Sequence, residues 1–213
     1  MTVFFTSDTH FSHIAILKYC NRPFASVEEM NEKLIANWNS VVKSGDVVYH
    51  MGDFAWGNAE KVAAVFNRLN GHKYLVEGNH DDRTVKRLSW EWVKESYELR
   101  YGDKSYILSH YPHRSWNKSF HGARHLFGHC HGTLKPWGWS FDAGVDCWDY
   151  TPISIEQVEE TVAKLPRMNP EYDISFMRKG QMWNGRTFDY SYRDFFVGDG
   201  SADNVDPESI REE

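Results

Sequence analysis

Several features that would define a protein of another class are missing from this chain. No apolar run approaches the roughly 18 residues that a membrane span needs. The opening Met1-Thr2-Val3-Phe4-Phe5 lacks the basic stretch of a signal peptide. Together these absences give the expectation of a cytoplasmic protein with no membrane partner. Cysteine is scarce, at three residues. Cys20, Cys130 and Cys147 share no metal-type spacing, which argues against a disulfide framework, and Cys130 reads as a spacer between two histidines. An excess of basic charge is missing too. The formal net charge is -6; six acids against one arginine in 198–213 give -5, so the rest of the chain stands at -1. A nearly neutral body argues against tight duplex-DNA binding.

What the chain has in plenty is histidine, at eleven residues, and aromatic side chains, at 15%; so many imidazoles invite a metal hypothesis. A length of 213 residues suits one compact domain with an appendage. Val3-Phe4-Phe5-Thr6 reads as a buried first strand running into Ser7-Asp8-Thr9-His10-Phe11-Ser12-His13. Ser26 and Glu29 form a capping-box pattern ahead of a helix through Met30, Leu34, Ile35 and Trp38. Val47 to Met51 is a second strand, delivering Gly52-Asp53-Phe54. Asn58 is a plausible cap for a helix carrying Val62, Val65, Phe66 and Leu69, closed by Gly71. A third strand, Tyr74-Leu75-Val76, leads into Gly78-Asn79-His80-Asp81. Three strand-loop units separated by helices imply parallel pairing, with polar groups gathered at the strands' carboxyl ends.

The second half changes character. Ser96 to Tyr101, Ser105 to Ser109, His125 to Phe127 and Ser140 to Val145 read as short strands with little helix between them, suggesting a second, more antiparallel sheet. Ser154 then offers a cap for a helix reaching Leu165. Beyond it, 166–197 reads as an aromatic-rich extension that caps the site or makes a subunit contact, and 198–213 as an acidic, flexible tail.

The polar words at the strand ends form one inventory: Asp8-Thr9-His10, Gly52-Asp53, Gly78-Asn79-His80-Asp81, Ser109-His110-Tyr111-Pro112 and Gly128-His129-Cys130-His131. Setting His80 and Asp81 aside, they offer two Asp, one Asn and four His, a nitrogen and oxygen donor set suited to divalent ions. That is more than one ion uses. It matches two ions sharing a carboxylate about 3.5–4 Å apart, the arrangement that clamps the attacking and leaving oxygens of a phosphoryl displacement.

These five words, in this order, resemble the pattern of the calcineurin-like metallophosphoesterase superfamily, in particular its small bacterial or phage members. The resemblance spans about Thr2 to Glu159, including Asp142-Ala143-Gly144-Val145-Asp146 and Pro152. It implies an α/β four-layer αββα sandwich of two mixed sheets flanked by helices, a metallophosphoesterase domain over 1–165, and hydrolysis of a phosphoester. It further implies that Asp8, His10 and His131 bind one metal, that Asn79, His110 and His129 bind the other, and that Asp53 bridges them. His80 would face the substrate and protonate the leaving oxygen or steady the phosphate, with Asp81 orienting it. Attack would be in line, by a hydroxide shared between the ions. Two divalent cations set against two carboxylates and a hydroxide leave about one positive charge, which a phosphodiester monoanion cancels. The expected substrate is therefore a diester, nucleotide-like or a short single-stranded nucleic acid. A phosphomonoesterase built on the same residues is the first alternative, and a non-catalytic metal-stabilised binding protein the second. Imidazole-rich sites favour Mn²⁺, Fe, Zn²⁺ or Ni²⁺ over Mg²⁺, and Mn²⁺ is the expected activating ion.

Other residues have competing readings. Asp81 could instead cap a helix near Thr84 to Leu88. His13 could reach the phosphate or support a ligand from behind. His50 reads as a satisfied core histidine, and His72, His121 and His125 as structural. His113 and Arg114 could contact substrate or form an exposed loop pair, and Asp46 and Asp146 read as turn formers. Phe54, Trp56, Trp116, Trp137 and Trp139 flank the ligand loops and could stack a nucleobase or simply pack the loops.

Overall fold

Strand β1 (Val3–Thr6) is buried along its whole length, which is why its residues are apolar or β-branched with no polar alternation. It belongs to a computed structural model that describes residues 1–166. The chain divides into units 1–170 and 171–213, and the described residues all fall in the first. The aromatic extension, apart from Pro166, and the acidic tail lie outside the described residues.

After β1 come α1 (Ile14–Tyr19), α2 (Val27–Val41), β2 (Val47–His50), α3 (Ala59–Phe66), β3 (His72–Val76), α4 (Arg83–Lys86) and β4 (Val93–Lys94). Then follow β5 (Ser96–Tyr101), β6 (Lys104–Ser109), β7 (Arg124–Phe127), β8 (Ser140–Asp142), β9 (Ile153–Ser154) and α5 (Ile155–Lys164). The expected caps are present. Ser26 accepts from Glu29 N, Asn58 from Lys61 N, and Ser154 closes a full capping box with Gln157. At α2 the reciprocal half of the box lands one residue early, because Glu29 Oε2 receives Ala25 N at 2.8 Å. Asp82, not Asp81, caps α4.

The first sheet runs β4-β3-β2-β1-β9, parallel except for the antiparallel β1–β9 pair. The second runs β5-β6-β7-β8, and the expectation that it is mainly antiparallel holds only for β5–β6. Pairs β6–β7 and β7–β8 are parallel. The connections 110–123 and 128–139, each about a dozen residues long, give the reach a parallel crossover needs. Successive side chains of a strand point to opposite faces, and the two cores follow from that. Phe4, Val48 and Leu75 pack with Met30, Leu34, Trp38, Val62 and Phe66 of α2 and α3. Phe5, Tyr49 and Val76 face the other way, onto Tyr106, Leu108, Leu126 and Phe141 of the second sheet and Ile155, Val158 and Val162 of α5. The result is an α/β architecture of two mixed sheets with helices.

Beyond the strand ends the ladder continues into the loops. Asp8 N donates to Gly52 O at 2.9 Å, His10 N to Asp53 O at 3.0 Å, and Gly128 N to His110 O at 2.9 Å. Main chain thus ties the first polar word to the second and the fourth to the fifth, while the third, Gly78 to Asp81, joins them through the carboxylates of Asp53 and Asp81.

Candidate metal centre

Two groups of donor atoms meet at the carboxyl ends of β1, β2, β3, β6 and β7. Asp8, His10 and His131 present ligand atoms that all lie within 4.8 Å of one another, and so do Asp53, His110 and His129. Asp53 Oδ2 joins the groups, lying 3.5 Å from His10 Nε2 and 3.6 Å from His110 Nε2. Asn79 Oδ1 belongs to the second, 2.9 Å from His110 Nε2 and 3.0 Å from His129 Nδ1. The structure therefore brings all seven candidate ligands together.

The residues fit divalent cations on two further counts. His10 Nε2 is buried without a hydrogen-bond partner, an arrangement that costs free energy unless a cation takes the lone pair. Asp8 and Asp53 are buried as well. Burial pushes the Asp8 carboxyl up to about 8; a cation acts in the opposite sense and keeps such a group ionised.

The imidazoles are fixed from behind. His110 Nδ1 lies 2.8 Å from Met51 O; a carbonyl only accepts, so Nδ1 carries the proton and Nε2 presents its lone pair. His131 Nδ1 contacts Asp146 Oδ2 at 2.7 Å, leaving Nε2, 4.0 Å from Asp8 Oδ1, for the site. Asp146 in turn receives Arg22 Nε and one terminal nitrogen, both at 2.8 Å. The buried guanidinium also donates to Asp8 O and Thr9 O. Burial opposes protonation of His131, but Asp146 and Asp8 outweigh it and hold the imidazole up at about 10. A divalent cation competes with that proton for Nε2. Cys20 also lies near His131 and Asp146, behind the ligand it would have to share.

The backbone carries the strain of this convergence. Asp8, His10, Asp53, His129 and His131 have φ of 57°, 48°, 59°, 66° and 47°, the left-handed region that non-glycine residues enter rarely and mostly at functional sites. Gly78 and Gly128 are required by proximity: a Cβ on the first would strike Asp53, and one on the second Ser7 and Asp8.

A match to known sequences decides the family. The calcineurin-like phosphoesterase profile covers residues 1–133. The chain belongs to the calcineurin-like phosphoesterase family. It is 33% identical over 171 residues to an uncharacterized protein of Methanocaldococcus jannaschii, covering 76% of this chain and 92% of that protein. It is 28% identical over 161 residues to the Gene 66 protein of Mycobacterium phage L5, covering 61% and 77%. A crystal structure of an Aquifex aeolicus protein of unknown function shares the fold at TM-score 0.64 and 24% identity, covering 75% of this chain and 98% of that one.

In this phosphoesterase His80 is exposed at the mouth, its ring 5.5 Å from that of His10, while its backbone N donates to Asp53 Oδ1 at 2.9 Å. Asp81 takes a different part from the one expected. Its buried carboxylate receives the backbone N–H of Asp53, Phe54 and Gly78 at 2.8–2.9 Å, so its hydrogen bonds fasten two ligand loops and none reaches the His80 ring. His13 supports a ligand, with Nδ1 3.2 Å from His10 Nδ1. Asp146, expected in a turn, braces His131.

Of the aromatics, Phe54 is core and Trp116 stacks on His125, whereas Trp56 is exposed and stacks on His13. His125 is held between Ser109 Oγ and Ser140 Oγ, and His113 stacks on it. His50 is only half satisfied: Nε2 pairs with Thr9 Oγ1 at 2.9 Å and Nδ1 has no partner among the described residues. Burial holds it at about 3, hence neutral. Asp46 does accept turn hydrogen bonds from Thr2 N and Lys43 N. The sequence reading missed Arg22, which braces Asp146 behind His131.

Proposed function

We propose that this phosphoesterase hydrolyses a phosphodiester, nucleotide-like or a short single-stranded nucleic acid, at a dinuclear centre. The observation that carries the reading is Asp53 Oδ2, which faces His10 Nε2 and His110 Nε2 at nearly equal distance. One carboxylate oxygen so placed belongs to both ligand groups. Asp8, His10 and His131 would hold one ion, and Asn79, His110 and His129 the other. Mn²⁺ is our choice of ion, ahead of Fe, Zn²⁺ or Ni²⁺. Bound there, two such ions supply Lewis-acid charge to the phosphoryl group and make water a stronger nucleophile near neutral pH.

The remaining work falls to the chain. His80, exposed beside His10, donates a proton to the leaving oxygen. Asp81 keeps His80 in reach indirectly, by fastening the loops that carry Asp53 and Gly78. Attack is in line, with no covalent enzyme intermediate. Residues 1–165 act as the catalytic domain. No helix among the described residues is long and apolar enough to cross a membrane, and the three cysteines are free thiols, which fits a cytoplasmic location.

Hydrolysis of bis-p-nitrophenyl phosphate and p-nitrophenyl phosphate by the Mn²⁺-loaded protein, with metal content measured alongside, tests the reading. Two equivalents of metal and a preference for the diester support it. A large preference for the monoester overturns it in favour of a phosphomonoesterase.

A further inference from the structure

The rim of the site bears on what flanks the scissile phosphate. Among the exposed large apolar side chains, Ile14, Trp56, Tyr111 and Leu134 each follow His13, Asp53, His110 or His131 by one to three positions in the sequence. Single exposed apolar residues need no explanation. Four that each follow a site residue so closely in sequence direct attention to those that also touch the site.

Two of the four are aromatic, and they stand at different ligand groups. Trp56 is 51% exposed. One of its faces lies on the His13 ring at 4.9 Å and 17°, and its centre is 5.8 Å from that of His80. Its backbone is fixed, since Trp56 N donates to Phe11 O at 2.7 Å. From there a cavity of about 420 Å³ opens, lined by Trp56, Gly57, Asn79, His80 and Asp82, a volume in the range of small-molecule sites. Tyr111 is 49% exposed, and its ring stands edge-on to His129 at 4.7 Å and to His110 at 5.1 Å. Trp56 thus sits with His80 beside the group containing His10, and Tyr111 against the group containing His110 and His129.

We infer that Trp56 and Tyr111 are stacking platforms for the groups esterified on either side of the phosphate, so that the substrate is a linear diester with an aromatic heterocycle on each side, as in a dinucleotide or single-stranded nucleic acid. Trp56, next to the proton donor, serves the leaving group; Tyr111 serves the group that stays on the phosphate. A heterocycle offers a π-face to each ring whatever its sequence. This inference rests on the diester reading above.

The test compares bis-p-nitrophenyl phosphate, aromatic on both sides, with methyl p-nitrophenyl phosphate, aromatic only in its leaving group, using wild type, Trp56→Ala and Tyr111→Ala, each loaded with Mn²⁺ and checked for metal content. Trp56→Ala should lower kcat/KM for both esters about tenfold, the size of one base–aromatic stack. Tyr111→Ala should lower the ratio of bis to methyl ester about tenfold, and Tyr111→Phe should restore it. An unmoved ratio in Tyr111→Ala, or a change below about twofold on both esters in Trp56→Ala, overturns the two-platform inference and leaves the diester reading standing. Faster turnover of a cyclic mononucleotide, which has one base, than of a dinucleotide overturns it too. If wild type cleaves neither diester but hydrolyses p-nitrophenyl phosphate, the diester reading itself fails and this inference with it.

Discussion

Strands β6 and β7 carry a polar cluster at each end, and the two clusters are built on opposite principles. At their amino ends Glu159 of α5 accepts from Lys104 Nζ at 2.6 Å, Tyr106 OH at 2.7 Å, and Arg124 Nε and a terminal nitrogen at 2.8 and 2.7 Å. Four hydrogen bonds from three side chains meet on this one carboxylate, so the network is closed. At their carboxyl ends His110 turns its Nε2 lone pair toward Asn79 and Asp53, His129 Nδ1 also faces Asn79 Oδ1, and His10 Nε2 stays buried without a hydrogen bond. At His110 an acceptor faces an acceptor, an arrangement that a cation would relieve. The same two strands therefore end in a cluster that stabilises the fold unaided and in one that withholds stability until a ligand arrives.

The strongest challenge to that contrast is Asp53→Ala. Removing the oxygen common to both groups should abolish metal binding at each and lower turnover more than about a thousandfold. Elemental analysis and kinetics read this, with circular dichroism confirming the fold; retention of both metals would break the comparison. His80→Ala should keep the metals and lose about 10²–10⁴ in kcat. If it loses metal instead, His80 is a ligand and its role as proton donor is wrong. Asp146→Asn should weaken metal affinity about 10–100-fold, as loss of an outer partner of a ligand histidine does, while Asn79→Ala should remove the ion held by the other group. Chelator titrations would show whether the two variants differ.

The closed end should answer only in stability. Glu159 is held down from its ordinary 4.5 to about 2; burial works against this, but Arg124, Lys104 and Tyr106 prevail. A depressed carboxyl contributes stability that is present above about pH 4.5 and lost as pH falls through about 2. In the metal-free protein Glu159→Gln should lower stability by about 1 kcal/mol, given partial exposure, and flatten that stretch of the acid titration. A loss of turnover in this variant would mean the two ends are not independent.

How far the sequence was readable follows the same contrast. Strand-end words such as Asp8-Thr9-His10 are local, and β-branched runs place them at strand ends without knowledge of the partner strands. The caps at Ser26, Asn58 and Ser154 were equally local. Arg22 and Asp146, by contrast, are separated by 124 positions, and nothing near either announces a charge pair behind His131. Asp81 misled for a related reason. Beside His80 in sequence, it spends its oxygens on the amides of Asp53 and Phe54 in another loop and of Gly78 in its own, a convergence that sequence proximity does not announce. The parallel pairs of the second sheet were hidden because their crossovers contain almost no helix.

The left-handed φ at Asp8, His10, Asp53, His129 and His131 has a consequence for redesign. Aspartate, asparagine and histidine are the side chains that tolerate this region best after glycine, so the backbone admits nearly the same alphabet as the metal. Exchanging a ligand for glutamate or cysteine to change the preferred ion would carry a conformational cost at these five positions before any coordination is made. Attempts to retune this enzyme should therefore begin with Arg22, Asp146 and His13, which shape the ligands' electronics from positions where φ is ordinary.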